Sequence, residues 1–442
     1  MSAFNEKIVT PEKTKIGEVK TDKTDKTDET EKGETLAFLL EKYEEYKKQG
    51  LNLNMSRGKP CKEQLDLSMK MMDVLNSSAD LRCEDGIDCR NYGVLGGIEE
   101  CKRLLGDIIE VPAKNIIIYG NSSLNVMYDC ISRSMTHGVL GGTPWAKLDK
   151  VKWLCPVPGY DRHFAITEYF GIEMINVPMN NDGPDMDIVE TLIKDEAVKG
   201  IWCVPKYSNP DGTTYSDEVV RRFARLKPAA KDFRIYWDNA YSVHHLYADK
   251  QDFLLEILAE CEKAGNPDLV YKFTSTSKIS FPGSGIAALA ASENNIKEIK
   301  KQLGIQTIGH DKVNQLRHVR FFKDLNGVKE QMRKHAEILR PKFELTEKIL
   351  AENLGGIAKW TVPNGGYFIS LEVEGCAKEV VKRCKECGVT LTDAGAAFPY
   401  HNDPKNSNIR IAPSFPSLDE LKTATEILCL SVKIETLKKR GE

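Results

Sequence analysis

The 442-residue sequence lacks any apolar run long enough to span a bilayer, which excludes a membrane-crossing helix. It also lacks an excess of charge of either sign. A formal net charge of -3 and a pI near 6.3 leave no electrostatic footprint for nucleic acid or for a membrane surface. The N-terminal stretch has no apolar core of the kind a secretory signal needs and is too acidic for a transit peptide, so a cytoplasmic protein is expected. The twelve cysteines are not clustered. They are scattered along expected helices and strands, as free thiols in a reducing compartment would be. Cys384 and Cys387 form a CxxC, but no second pair lies nearby to complete a metal site. Two turns of ordinary helix, VVKRCKECG, account for that spacing, and no metal is expected.

What is present is enough chain for a large core and two domains. Residues 1–35 are dominated by Lys, Thr, Asp and Glu, with the repeat TDKTDKTDE, and read as a disordered charged tail that catalysis does not need. Helical apolar spacing begins at Leu36, LAFLLEKYEEYK. It runs on to LNMSRGKP, where Gly58 lets the backbone turn between Arg57 and Lys59. From Asn91 the pattern changes to seven short apolar runs suited to strands: NIIIYG, VKWLCPVP, EMINVP, KGIWCVP, FRIYWD, LVYKF and GIAALAAS. Helical or loop text separates most of them, which implies parallel strands joined by crossover helices. Near the end GGYFISLEV, GVTLTD and NIRIAPS read as strands around one helix, with a last helix from Leu418. The expected fold is therefore α/β: a large domain over 91–330 with a seven-stranded, mostly parallel sheet, and a smaller α+β domain built from 36–90 and 331–442.

Polar clusters follow the apolar runs, where open α/β sheets bind ligands. LVYKF leads into TSTSKISFPGSG, which places Lys278 among hydroxyls at the mouth of a strand. A partly desolvated lysine there can lose its proton and attack a carbonyl; the plainer reading is a surface lysine on a polar loop. After NIIIY come Gly120, Asn121, Ser122 and Ser123 at the start of a helix, a phosphate cradle or an ordinary N-cap. Tyr160, in PGY, is an aromatic able to cover a flat ring, or a rim tyrosine. Asn209, in NPDG, sits in good turn chemistry. Asp238 closes FRIYWD just before Tyr241, and a carboxylate at the end of an apolar strand needs a cation. Arg410, inside NIRI, has the planar fork that captures carboxylates, or makes a structural ion pair. One ligand would use the strand-end sites together: a flat cationic ring with an aldehyde, a hydroxyl and a phosphate, that is, pyridoxal 5′-phosphate.

These texts stand in the order of a known family. From about residue 36 onward the chain resembles the class I aminotransferases, fold-type I pyridoxal phosphate enzymes. The resemblance implies that Lys278 forms the Schiff base and that Asp238 pairs with the ring nitrogen. Asn209 and Tyr241 would bond the ring oxygen, and Tyr160 would stack on the ring. Gly120, Asn121 and Ser122 would form the phosphate turn and Ser275 would bind the phosphate, beside Ser123 of the helix start and with Ser277 and Ser284 as further hydroxyls, and Tyr92 would reach the neighbouring subunit of a homodimer. Arg410 would hold the substrate α-carboxylate, and Gly58, flanked by Arg57 and Lys59, matches a substrate-closing segment. One departure stands out: Gly285 occupies the place of the arginine that usually binds the phosphate. SRGKP, CPVPGYDRHF, WDNAYSVH, TSTSKIS and NIRIAPS resemble a divergent subgroup of aspartate aminotransferases that also lacks it, which implies aspartate and 2-oxoglutarate as substrates. An alanine or aromatic donor, or a lyase or decarboxylase on the same scaffold, uses the same core residues.

Overall fold

A computed structural model describes residues 35–441. Apart from Thr35, the charged tail anticipated above lies outside them. The strands are β1 (Leu53–Asn54), β2 (Ile116–Ile118), β3 (Lys152–Val157), β4 (Glu173–Asn180), β5 (Gly183–Pro184), β6 (Val198–Cys203), β7 (Arg234–Asp238), β8 (Val270–Ser275), β9 (Ala287–Ala290), β10 (Lys359–Trp360), β11 (Ile369–Glu372), β12 (Val389–Thr390) and β13 (Asn408–Ile411).

The large sheet runs in the order β2-β9-β8-β7-β6-β3-β4-β5. It has eight strands rather than the expected seven. The addition, β5, is a two-residue hairpin partner of β4, too short to show a periodicity. The pairs β4/β3, β3/β6, β6/β7 and β7/β8 are parallel. Strand β9 is antiparallel to both neighbours, because the chain returns from β8 through the loop 276–286 instead of a crossover helix. Two reversals leave β2 pointing the same way as β8. The C-terminal ends of β2, β3, β6, β7 and β8 therefore open on one edge.

The central strands are buried on both faces, and their side chains alternate between two cores with the period of the pleat, whereas β4, towards the sheet edge, is only partly buried. Trp153, Cys155 and Tyr236 enter one core with Val126, Met127 and Ile131 of the helix Ser123–His137. Leu154, Ile235 and Trp237 enter the other with Val219, Val220 and Phe223 of the helix Asp217–Ala224. That is why the runs read as continuously apolar in sequence.

The C-terminal part forms the antiparallel sheet β10-β11-β13, and β12 pairs with β1 across the chain. Leu39 and Tyr43 of the helix Leu36–Lys48 pack into the same apolar cluster as Leu421, Leu428 and Val432 of the helix Leu418–Arg440. Met71, Cys83 and Cys89 do not follow them. They pack with Ile116, Ile118 and Phe322 beside the large sheet, so the packing changes sides before residue 90. The 30-residue helix Leu325–Leu354 spans both bodies, with Val328 and Met332 in the large-sheet core and Leu339, Phe343 and Leu350 in the other.

All twelve cysteines are free and buried. Cys384 faces Ser431 and Cys387 faces the Tyr43 carbonyl, so the CxxC sulfurs pack on separate partners. Among the described residues no group of three or more His, Cys, Asp and Glu could hold a metal ion, and no helix is long and apolar enough to cross a membrane.

Candidate active site

The common edge of the parallel strands opens on a cleft of about 300 Å³. Its lining includes Arg57, Gly58, Lys59, Ser122, Ser123, Tyr160, Asn209, Asp238, Tyr241, Ser275, Ser277, Lys278 and Arg410. Residues spread from 57 to 410 in sequence thus meet in one place.

Lys278 ends a single 3-10 turn, Thr276–Lys278, directly after β8. Its Nζ lies 4.9 Å from the centre of the Tyr241 ring. Burial holds this lysine below its ordinary pKa, opposed in part by the Asp238 carboxylate. The turn beneath it is fixed by His318 of the helix Lys312–Phe322, whose Nε2 lies 2.9 Å from Ser280 Oγ and 3.1 Å from Thr276 Oγ1.

Asp238 ends β7 and is 4% exposed. Oδ2 accepts a 3.0 Å hydrogen bond from His163 Nε2, whereas Oδ1 is buried with no partner. His163 lies in the helix Asp161–Tyr169 and stacks on Trp202 at 4.5 Å, with 14° between the rings. The cleft therefore presents a buried carboxylate with one oxygen anchored and one unused.

Ser122 caps the 15-residue helix Ser123–His137 without spending its hydroxyl on the helix. The free N–H groups of that first turn stand with Ser122 and Ser123 at the cleft. Across from them Ser275 Oγ and Ser277 Oγ lie 2.5 Å apart, and Ser277 donates to the Asn121 carbonyl at 2.7 Å. The Asn121 side chain donates to the Pro282 carbonyl, which leaves its backbone N–H as the group it could offer a phosphate. Gly285 is tightly packed: a Cβ there would come to 3.1 Å from the Ser277 backbone nitrogen, so the turn would have to give by a few tenths of an ångström. The same loop is gripped by Arg317, whose guanidinium donates to Ser284 Oγ at 2.6 Å.

Arg410 projects from β13 with its side chain 6% exposed. It donates to Asp161 Oδ1 at 2.7 Å, to Asn209 Oδ1 at 3.2 Å and to Thr392 Oγ1 at 3.0 Å. Its guanidinium carbon lies 5.1 Å from the Phe368 ring centre, and its Nε is buried without a partner. Gly58 is required beneath this arrangement, since a Cβ there would meet the Phe368 ring at 2.7 Å. Tyr160 lies edge-on to His163 at 4.9 Å, and burial pushes its phenol up to about 12. Tyr92, by contrast, is 82% exposed and outside this cleft.

Sequence reading missed several of these groups. His163, Asp161 and Arg162 follow Tyr160 directly, and the signal was available: polar residues in the first turn of a helix that starts at a strand end. Nothing local marks Thr392 or Arg317, which reach the site only through tertiary packing.

The chain matches a family model described as aspartate aminotransferase over residues 28–442. The chain belongs to the aspartate aminotransferase family. This transaminase is 48% identical over 389 residues to an aspartate aminotransferase of Corynebacterium glutamicum, covering 87% of the chain and 90% of the relative. A crystal structure of an aspartate transaminase from C. glutamicum superposes with a TM-score of 0.89 at 46% identity, covering 91% of this chain and 96% of that one. An α-aminoadipate aminotransferase of Thermus thermophilus, complexed with N-(5'-phosphopyridoxyl)-L-leucine, shares the fold at 18% identity with a TM-score of 0.71, covering 90% and 95% of the two chains. This aminotransferase thus has the α/β architecture of the fold-type I enzymes.

Proposed function

We propose that this aminotransferase holds pyridoxal 5′-phosphate on Lys278 and moves the amino group of aspartate to 2-oxoglutarate. The observation that carries the reading is the pairing of Lys278 with Asp238 in one cleft, with Asp238 Oδ1 buried and unpartnered. A buried carboxylate oxygen without a partner is costly. A protonated ring nitrogen satisfies it.

The other residues fit the same group. Ser122, Ser123, Ser275 and Ser277, with the N-terminal turn of Ser123–His137, suit a phosphate. The absence of the usual arginine agrees with the divergent subgroup and leaves hydroxyls and backbone N–H groups as the groups available to the phosphate. Tyr160, Asn209 and Tyr241 line the same cleft, and we assign Tyr160 to cover the ring and Asn209 and Tyr241 to bond its oxygen.

When bound, pyridoxal phosphate supplies an aldehyde carbon and a ring that accepts electrons. Lys278 Nζ, kept from its full basicity by burial, takes the substrate Cα proton and returns it on the product side. Asp238 keeps the ring nitrogen charged, and His163 keeps Asp238 aimed. Arg410 binds the α-carboxylate, with Asn209 alongside.

Aspartate carries a second carboxylate. Arg57, Lys59 and Arg162 line the cleft and make no ion pair among the described residues, so they are the groups available for it. The name of the C. glutamicum relative supports the same substrate. Exposed Tyr92 is free to reach the site of a second copy, which supports a homodimer, and the free cysteines support a cytoplasmic location. The test is an assay of aspartate with 2-oxoglutarate against alanine and aromatic donors on the cofactor-loaded protein. Aspartate should give the highest kcat/KM; release of carbon dioxide or ammonia without amino transfer would overturn the reading.

A further inference from the structure

Arg410 is a buried cation that a substrate carboxylate is proposed to neutralise, and a buried cation left unpaired between turnovers is costly. Asp161 is its only charged hydrogen-bond partner among the described residues, at 2.7 Å. Asn209 and Thr392 contribute neutral oxygens. The two charges are unequally placed. The Arg410 side chain is 6% exposed and held by β13, whereas the Asp161 side chain is 24% exposed and sits at the rim of the cleft. Asp161 also opens the helix Asp161–Tyr169, where unsatisfied N–H groups and water can receive its carboxylate. It can leave Arg410 without being stranded. Arg410 cannot leave its own place.

We infer that Asp161 is a built-in carboxylate surrogate: it neutralises Arg410 while the cleft is empty and is displaced when the substrate carboxylate arrives. The step is an exchange of one carboxylate for another on the same guanidinium, with no net change in buried charge. It rests on the reading of Arg410 as the carboxylate ligand. Its effect is on affinity: every incoming carboxylate competes with Asp161, so binding is weaker than Arg410 alone would provide. Asp161 is thereby a residue that sets KM and promotes product release.

The test uses succinate, a dicarboxylate with no amino group, binding to the cofactor-loaded protein followed by calorimetry. Asp161→Asn keeps the shape and removes the competing charge, so succinate should bind about tenfold more tightly (~1.4 kcal/mol). The KM values for amino acid and oxo acid should fall in parallel, and kcat should fall if product release limits it. Equal or weaker succinate binding by Asp161→Asn overturns the proposal, since an aspartate that merely positions Arg410 predicts weaker binding. If the Asn variant is not recovered folded, Asp161→Ala reads the same quantity. Arg410→Ala separates the two levels of the argument. If it leaves succinate binding unchanged, the assignment of Arg410 fails and the surrogate with it. If it abolishes binding while Asp161→Asn has no effect, only the surrogate fails.

Discussion

Asp238 and His163 form a one-sided pair: Oδ2 of the carboxylate takes the imidazole Nε2 at 3.0 Å, and Oδ1 takes nothing. Carboxylate oxygens accept only, so Nε2 carries the proton here. The histidine is fixed in turn by its stack on Trp202. The free oxygen is therefore held in a set direction before any ligand arrives, and such preorganisation lowers the cost of binding and of charge development.

Replacing Asp238 tests this directly. Asp238→Ala should cut transamination by roughly a thousandfold, about 4 kcal/mol of barrier, with little change in melting temperature. Steady-state rates and a thermal melt measure the two quantities. A rate within tenfold of the wild type would remove Asp238 from its role.

Lys278→Ala should still bind pyridoxal phosphate through the hydroxyls and Asp238, but without a covalent link. The bound cofactor should then be removable by dialysis, and transamination should fall by about 10⁴, the upper range for loss of a general acid–base group. Absorbance spectra before and after dialysis decide it. A stable covalent adduct in the variant would place the link on another lysine.

Besides Lys278, three cations of the cleft make no ion pair among the described residues, and they make distinct predictions. Replacing with Ala whichever of Arg57, Lys59 and Arg162 reads the side-chain carboxylate should lower the aspartate-to-alanine ratio of kcat/KM; all three are exposed, so the expected loss is that of an exposed ion pair, up to about 1 kcal/mol or roughly fivefold. Arg410→Ala should damage both donors together. Three variants with unchanged ratios would move the side-chain pocket elsewhere.

Gly285→Arg restores the residue usual at this place in related enzymes, yet it should weaken cofactor binding. The added Cβ presses on the backbone of Ser277, one of the hydroxyl residues of the phosphate cradle. Titration of the cofactor-free protein with pyridoxal phosphate, followed by fluorescence, should show a higher Kd than the wild type. A lower Kd would mean the turn yields and the arginine finds the phosphate.

Stability should fall as the pH drops from about 6.5 toward 4. Burial lowers the pKa of His318 and His335 from 6.5 to about 4. Between those values the unfolded chain binds more protons than the native one, so stability rises with pH across the window and is lost on acidification. His318 Nδ1 faces the Asn314 carbonyl at 2.8 Å, so Nδ1 carries the ring proton and Nε2 is the acceptor that acid would titrate. Each such histidine contributes at most about 3 kcal/mol over the window. Denaturant unfolding at a series of pH values should show a shallower slope in His318→Gln than in the wild type; identical slopes would rule His318 out as a source.

The sequence by itself determined the elements and the chemistry at their ends. Strands buried on both faces read as mostly apolar runs, and the partly buried β4 as a mixed one, so every strand of the large sheet except the two-residue β5 was legible in the sequence. Strand ends must be polar where they meet a ligand, so Lys278, Asp238, Asn209 and Ser122 were legible as interruptions of those runs. Only the tertiary structure decided which polar group meets which. Asp161 and Arg410 lie 249 positions apart, and Arg317 reaches Ser284 from a separate helix. It also decided that Met71, Cys83 and Cys89 pack beside the large sheet rather than with the helix that precedes them. Periodicity reports how far each side chain is buried, a property carried by neighbours within a few residues. The choice of partner depends on how helices and sheets dock, and no local pattern encodes that.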